Sequence, residues 1–470
     1  MSIQARPAHR FFRDSASRSD ARTDNRLAFI DQAMFLGARA TGQELAMQSV
    51  WLYEHPVDFD QLRRFHRNFG YGLAGRLIET SPLPFGRHRW VSSLGPPSDI
   101  DIFECPRPRA ELGDWADECA QLPIDPELGP GWRLGVLPLT DGSTAVSLVV
   151  SHSLADGVGA LLAVVDAVKG NTCDLGYPPP RSRTRLRAVV TDTRETAASA
   201  PEVARTLVAA ARLARRRRRD NALKGAPRSA AIIGDGGDQP VVVPAINIFV
   251  DVEDWDARAE ALGGNSYSMV AGLAAKFAER MGRLRADDGA ASLIVPINDR
   301  TLEDTRANAV VLAHVSIDPT QVTTDLSSTR IALKQALKTA REVPDETLQL
   351  LPLIPLIPKR AVERLADVAF GLSADLPVSC SNLGELPPEI GRPDGTDAEY
   401  VVLRGIDRRV TRQVLEQRRG LLTLVSGRVG PKISIAVIAY QPGGKNSKSH
   451  LREMAAHTLA EFGLAGVIID

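Results

Sequence analysis

The stretch Val146–Lys169, VSLVVSHSLADGVGALLAVVDAVK, constrains this chain more than any other. Val146–Val150 is a short β-branched run, the pattern of a strand buried on both faces. Val158, Leu161, Leu162, Val165 and Val168 recur at helical spacing, so Val158–Lys169 reads as a helix. Between them, His152-Ser-Leu-Ala-Asp156-Gly157 is a polar interruption. A loop clamped between two buried elements can hold a side chain rigidly over a cavity. His152 is the side chain there whose ordinary pKa lies near neutrality, which makes it the natural general base. Asp156 is placed to fix the loop, by pairing with a cation or with backbone N–H groups. Gly157 permits a close approach that a Cβ would forbid. On these residues alone, a lone histidine at a strand end more often serves the core than a reaction.

The neighbouring chain supports an α/β fold. Gly131–Leu139 reads as a strand that feeds the Val146 strand through the turn Thr140–Ser143, with Trp132 in the core. Gln48–Tyr53 reads as a strand, and Asp58–Phe69 as a helix with Phe59, Leu62 and Phe65 on one face. A chain of 470 residues can build two cores. Its net charge of zero gives no global pull toward nucleic acid or membrane. Cys105, Cys119, Cys173 and Cys380 form no CxxC pair, which argues against a zinc site or a disulfide framework and suits a reducing cytosol. There is no run of about 18 apolar residues and no N-terminal apolar signal region. A cytoplasmic location is therefore expected.

Composition shifts divide the chain. Residues 1–25 are polar and rich in Arg, Ser and Asp, an expected disordered tail. Residues 26–177 form a first half and 241–470 a second, joined by a basic crossover over 178–240. Within the crossover, Pro201–Arg219 reads as a helix carrying Arg205, Arg212 and Arg215–Arg219. It suits either a solvated basic face or an interfacial helix on anionic lipid, with Leu207, Val208 and Leu213 toward the acyl region. Nucleic acid is a poorer partner, because no aromatic stacking residue is interleaved. In the second half, Val241–Val252 reads as a strand, Trp255–Leu262 as a short helix, and Ser266–Gly282 as a helix capped by Ser266 or Ser268. Ser292–Pro296 reads as a further strand. In Leu348–Pro358, Pro352, Pro355 and Pro358 rule out a regular helix, leaving a packed connector, or else a channel wall or a lid dipping into lipid.

His152–Gly157 resembles the second half of the HHxxxDG motif of the CoA-dependent acyltransferase superfamily. That superfamily includes chloramphenicol acetyltransferase, condensation domains and the wax ester synthase/diacylglycerol acyltransferases. Ser151 stands where the family has its first His. Pro296-Ile-Asn-Asp-Arg300, followed by Asn308, resembles the strand-end segment whose Arg braces the motif Asp. Val378–Leu386, with Ser381, Asn382 and Gly384, resembles the SNLG segment that faces the channel. Asn25–Gly37, with Asp31, resembles the opening of the wax ester synthase group.

The resemblance implies two chloramphenicol acetyltransferase-like α/β domains, each a mixed sheet with flanking helices, and a channel between them. It implies His152 as base, with Asp156 and Gly157 shaping its loop. Ser381 and Asn382 would be donors to an oxyanion, and Gly384 would admit the acyl chain or pantetheine. Arg300, Asn308 and Ser151 would give structural support. It implies acyl-CoA as co-substrate, with no metal, no permanent cofactor and no covalent intermediate. The acceptor would be a lipid hydroxyl, diacylglycerol or fatty alcohol. The basic helix and the Pro/Leu stretch suit a protein peripheral on the inner membrane face or on lipid droplets. Two other readings stay open: an acyltransferase fed by a carrier-protein thioester, and a non-catalytic lipid-binding relative, which Ser151 favours.

Overall fold

The computed structural model describes residues 24–224, 239–301, 303–343, 348–357 and 376–470. The first part carries α1 (Phe29–Thr41), β1 (Glu44–Tyr53), α2 (Phe59–Phe69), β2 (Arg76–Glu79), β3 (Arg89–Ser92), β4 (Asp101–Ile102), α3 (Leu112–Gln121), β5 (Trp132–Pro138), β6 (Thr144–Ser151) and α4 (Gly157–Lys169). The long α5 (Arg185–Lys224) follows. The second part carries β7 (Ala245–Asp251), α6 (Val252–Ala261), α7 (Ser266–Arg280), β8 (Ala291–Asn298), β9 (Val310–Ile317), α8 (Ser327–Glu342), β10 (Val378–Glu385), β11 (Tyr400–Arg408), α9 (Arg412–Gln417), β12 (Leu421–Val429), β13 (Lys432–Tyr440), α10 (Lys448–Glu461) and β14 (Val467–Ile469).

Two mixed sheets result, in the orders β11-β1-β6-β5-β4 and β14-β7-β13-β12-β10-β8-β9. The β6 strand is buried along its whole length, as its apolar run predicts. On one face Val146, Leu148 and Val150 pack with Phe65, Phe69, Trp132 and Val165. On the other, Ala145 and Val149 pack with Leu112, Trp115 and Cys119 of α3. Each such aliphatic side chain contributes roughly 1.5–3 kcal/mol by leaving water. The β5–β6 turn closes with Leu139 N–H donating to Ser143 O at 2.9 Å and Ser143 N–H to Asp141 Oδ1 at 3.0 Å. Trp132 is core, with Phe69 edge-on at 4.8 Å.

The structure corrects several sequence expectations. The cap of α7 is Asn265, not Ser266 or Ser268. Its Oδ1 accepts from Ser268 N–H at 3.0 Å while Ser268 Oγ accepts from Asn265 N–H at 2.8 Å, a reciprocal capping box. The strand expected over Val241–Val252 ends at Asp251, and Val252 opens α6. The basic helix is far longer than Pro201–Arg219. It starts at Arg185 and runs through Pro201, which lies on an exposed turn.

The sequence sets the remainder, with strands near Leu421–Ser426 and Lys432–Tyr440, to complete the second sheet; those two strands do, but β11 crosses to the first. There it pairs antiparallel with β1 from Glu44↔Arg408 to Leu52↔Tyr400. Two buried arginines fix that register. Arg404 donates to Gln48 Oε1 at 2.7 Å and Asp117 Oδ1 at 2.8 Å, and Arg408 to Glu44 Oε2 at 2.9 Å. A one-residue slip would turn both guanidinium groups to the wrong face.

Leu348–Leu356 forms 3-10 turns packed between α1 and α5. The N-terminal tail up to residue 23, crossover residues 225–238 and Pro358 lie outside the described residues, as do the side chains of Leu213 and Arg216–Arg219. No helix among the described residues is long and apolar enough to cross a membrane.

Candidate functional site

His152 follows β6 directly. Its N–H donates to Leu45 O at 2.9 Å, which continues the β1–β6 ladder one step beyond Ala46↔Ser151. Its Nδ1 is enclosed in protein and has no hydrogen-bond partner among the described residues. The ring borders a cavity of about 40 Å³ shared with Met34, Gly37, Ala38 and Thr41 of α1 and with Asp407 and Arg418. Leu45 stands opposite Asp407 in the ladder, so Asp407, Leu45 and His152 form one row across three strands. Asp407 and Arg418 face each other at 3.9 Å, and Arg418 donates to Gln43 Oε1 at 2.7 Å. Sequence reading found neither residue, since their place depends on the β11 crossover.

Asp156 caps α4. Its Oδ1 accepts from Gly159 N–H at 2.7 Å, and its Oδ2 from Ala309 N–H at 2.8 Å and Arg300 Nη2 at 3.0 Å. The pairing expected between Arg300 and Asp156 is therefore present, and both side chains are almost fully buried. Arg300 also gathers its own loop, donating to Asp304 O at 3.1 Å, Arg306 O at 2.8 Å and Ala307 O at 3.0 Å. Asp156 N–H donates in turn to Ala307 O at 2.8 Å.

A second carboxylate grips the same segment. Asp31 on α1 accepts from Ala307 N–H at 2.9 Å, Asn308 N–H at 2.8 Å and Asn308 Nδ2 at 3.1 Å. Arg76 of β2, stacked on Trp90 with 3.7 Å to the ring centroid, donates to Leu154 O at 2.8 Å and also to Thr305 O. Burial pushes the Asp31 carboxyl up, against the N–H donors and the Arg76 charge that favour its ionised form. Burial draws Arg76 down, with Tyr177 and Asp31 acting the other way. Residues 304–309 of the second half are thus held by α1, by β2 and by the His152 loop. Asp31 was reached through the resemblance of its segment, NRLAFIDQAMFLG, to the opening of the wax ester synthase group. Arg76 carries no such signal.

Ser151 ends β6 and is paired with Ala46. Strand alternation sends its side chain to the face of Val149 and α3, opposite to His152. Its Oγ accepts a long bond from Ser153 N–H at 3.4 Å.

The β10 segment approaches from the second sheet. A methyl placed on Gly157 would lie 3.3 Å from Met47 Cε and 3.7 Å from Leu383 Cδ2, so Leu383 brings the SNLG segment against the motif loop. Asn382 Oδ1 accepts from Gly384 N–H at 2.9 Å, a turn that leaves Nδ2 as the donor. Gly384 has φ +72, the left-handed region. Ser381, Asn382 and Gly384 are half-buried. Among the described residues, no group of three or more His, Cys, Asp or Glu could hold a metal ion.

No protein-family model matches this chain, and no curated protein matches it in sequence. Solved structures do match. The wax ester synthase/diacylglycerol acyltransferase from Marinobacter aquaeolei VT8 aligns over 93% of this chain and 98% of its own, with TM-score 0.53 and 17% identity. The first condensation domain of the calcium-dependent antibiotic synthetase aligns over 94% and 97%, with TM-score 0.55 and 15% identity. The trichothecene 15-O-acetyltransferase from Fusarium sporotrichioides aligns over 96% and 97%, with TM-score 0.52 and 11% identity. The chain has the two-domain fold shared by the CoA-dependent acyltransferases and the condensation domains.

Proposed function

We propose that this chain is an O-acyltransferase that moves a long-chain acyl group from acyl-CoA to a lipid hydroxyl, with His152 as general base. The observation that carries the reading is the bracing of the His152 loop. Asp156 is fixed by Arg300 and two backbone N–H groups, and the enclosed His152 Nδ1 leaves Nε2 as the nitrogen to meet a substrate. A charged pair buried this deeply costs desolvation, and it suits a loop whose position matters to the reaction.

In this mechanism Nε2 takes the acceptor hydroxyl proton as the oxygen attacks the thioester carbonyl carbon. The carbonyl oxygen becomes an oxyanion, and the Ser381 hydroxyl and Asn382 Nδ2 supply hydrogen bonds to it. Collapse breaks the carbon–sulfur bond, and the imidazolium returns its proton to the CoA thiolate. The products are free CoA and a triacylglycerol or wax ester, according to the acceptor.

The test is thiol release from palmitoyl-CoA with diacylglycerol, hexadecanol or a glycolipid as acceptor, on wild type and His152→Ala. Acceptor-dependent release that falls at least ~100-fold in the variant is the expected result. Release that persists in His152→Ala would remove the assigned base. No release with any acceptor, while acyl-CoA still binds, would turn the reading to a carrier-protein thioester or a non-catalytic lipid binder.

A further inference from the structure

We infer that α5 lies flat on an anionic lipid surface, presenting one row of arginines and one row of apolar side chains to it. The docking stands by itself. Its use, to bring a lipid-borne acceptor to the site, rests on the acyltransferase reading above.

The helix is inside out in charge. Asp192, only 2% exposed, accepts from Arg183 at 2.8 Å and from the Ser81 hydroxyl at 2.6 Å, and faces Arg89 at 3.5 Å. Glu195 also pairs with Arg89. Two of the helix's acids are therefore turned inward and neutralised. Outside, Arg187, Arg194, Arg205 and Arg212 follow one another at spacings of 7, 11 and 7 residues, which return to one side of a helix. All four are exposed, and Glu202 is the one exposed acid between Arg185 and Arg215.

Beside the arginines runs an exposed apolar row of Leu186, Val190, Ala197, Ala204, Val208 and Ala211. Leu186 is 76% exposed, Val190 43% and Val208 51%. A merely solvated face gains nothing from such a row. Arginines flanking an apolar line are what a helix in the headgroup region needs, because the charges meet lipid phosphates and the apolar line enters the acyl boundary. Forty helical residues extend about 60 Å, a long strip for a chain of zero net charge.

The strip also leads toward the site. The inner face of α5 packs on Leu348–Leu356, which packs on α1. Phe85 and Leu356, 42% and 43% exposed, open onto a cleft that reaches Val203 of α5 and Phe29 of α1. Further along α1, Met34, Gly37 and Ala38 border the His152 cavity.

Co-sedimentation with vesicles, with no acyl donor present, tests the docking independently of any reaction. Vesicles of phosphatidylcholine with phosphatidylglycerol should bind the wild type, and pure phosphatidylcholine should not. Binding should weaken as salt rises. Arg194→Gln/Arg205→Gln/Arg212→Gln should partition roughly 100-fold more weakly, about fivefold per arginine. These side chains are exposed, so circular dichroism should be unchanged. Val190→Ser/Val208→Ser should weaken binding even at low salt. Absence of binding to anionic vesicles at low salt, or equal binding by the triple variant, overturns the docking. In the assay of acyl transfer, the triple variant should lose turnover on vesicle-borne diacylglycerol and keep it on a water-soluble alcohol. Equal loss on both would overturn the delivery role alone.

Discussion

Asp156 and Arg300 meet at 3.0 Å across 144 residues of chain, and together they tie the second half to the loop that carries His152. The pair is buried, so removing one partner leaves an uncompensated charge. Arg300→Met should cost about 3–5 kcal/mol in urea unfolding. Asp156→Asn should also cost stability. The double variant should cost clearly less than the sum, because the stranded charge is gone. In the thiol-release assay Arg300→Met should lower kcat more than it raises KM, since the base is loosened while the substrate contacts remain. Strict additivity of the two stability losses would show that the pair is not coupled.

Three glycines near the site should respond differently to alanine. At Gly157 a methyl meets the flexible end of Met47 at 3.3 Å, so Gly157→Ala should cost under about 1 kcal/mol and act mainly on turnover. Gly384 has φ +72 and its methyl would stand 3.0 Å from Tyr267 Oη, so Gly384→Ala should cost about 1–2 kcal/mol. Gly159 is the sharpest case. Its methyl would be 3.1 Å from Asp156 Oδ1, 3.2 Å from Arg300 Nη2 and 3.2 Å from Leu73 Cδ1. Alanine favours a helix by about 1 kcal/mol over glycine. Gly159→Ala should nevertheless destabilise, because it wedges the ion pair apart. A stabilised Gly159→Ala in thermal unfolding would mean that the pair has room to give.

Much of this site was legible because it is local. His152, Asp156 and Gly157 share one loop; the strand was marked by its β-branched run, the loop by its polarity and the helix by its periodicity. Arg300 was reached through the family resemblance of its segment. What was not legible depends on contacts distant in the chain. Asp407 and Arg418 come to the His152 cavity only because β11 leaves its own half to pair with β1. Arg76 reaches Leu154 and Thr305 from a short strand with an ordinary pattern. The cap of α7 was misplaced by one residue or more because Asn265 sits in a glycine turn that reads as loop. The length of α5 was missed because Pro201 reads as a helix start, whereas its missing N–H is tolerated on an exposed turn.

Ser151 occupies the place of the first motif histidine, and its position argues that the exchange matters little. Strand alternation turns the side chain away from the His152 cavity, and its Oγ accepts a long bond, 3.4 Å, from Ser153 N–H. Ser151→Ala should change turnover less than about threefold and stability by under about 1 kcal/mol. A drop like that of His152→Ala would place Ser151 among the reacting groups.

Acid should loosen the α1 side of the molecule through His88. Its Nδ1 accepts from Ser81 N–H at 3.2 Å, its ring meets Phe35 edge-on, and its backbone N–H donates to Gln32 Oε1 at 3.1 Å. Burial holds this imidazole down at about 4, with Asp192 pulling weakly the other way. In the unfolded chain it takes a proton near 6.5. Between those values the unfolded state binds a proton that the folded state refuses, so stability is fully present above about 6.5 and falls as pH drops toward 4. From pH 7 to pH 5 the loss assigned to His88 is about 2 kcal/mol. Burial lowers His66 as well, so the wild-type curve holds more than one contribution. The difference between wild type and His88→Asn isolates the one at issue, since Asn can still accept from Ser81. Urea unfolding at the two pH values should show the variant losing about 2 kcal/mol less than wild type. Parallel losses would mean that His88 is protonated in the folded protein.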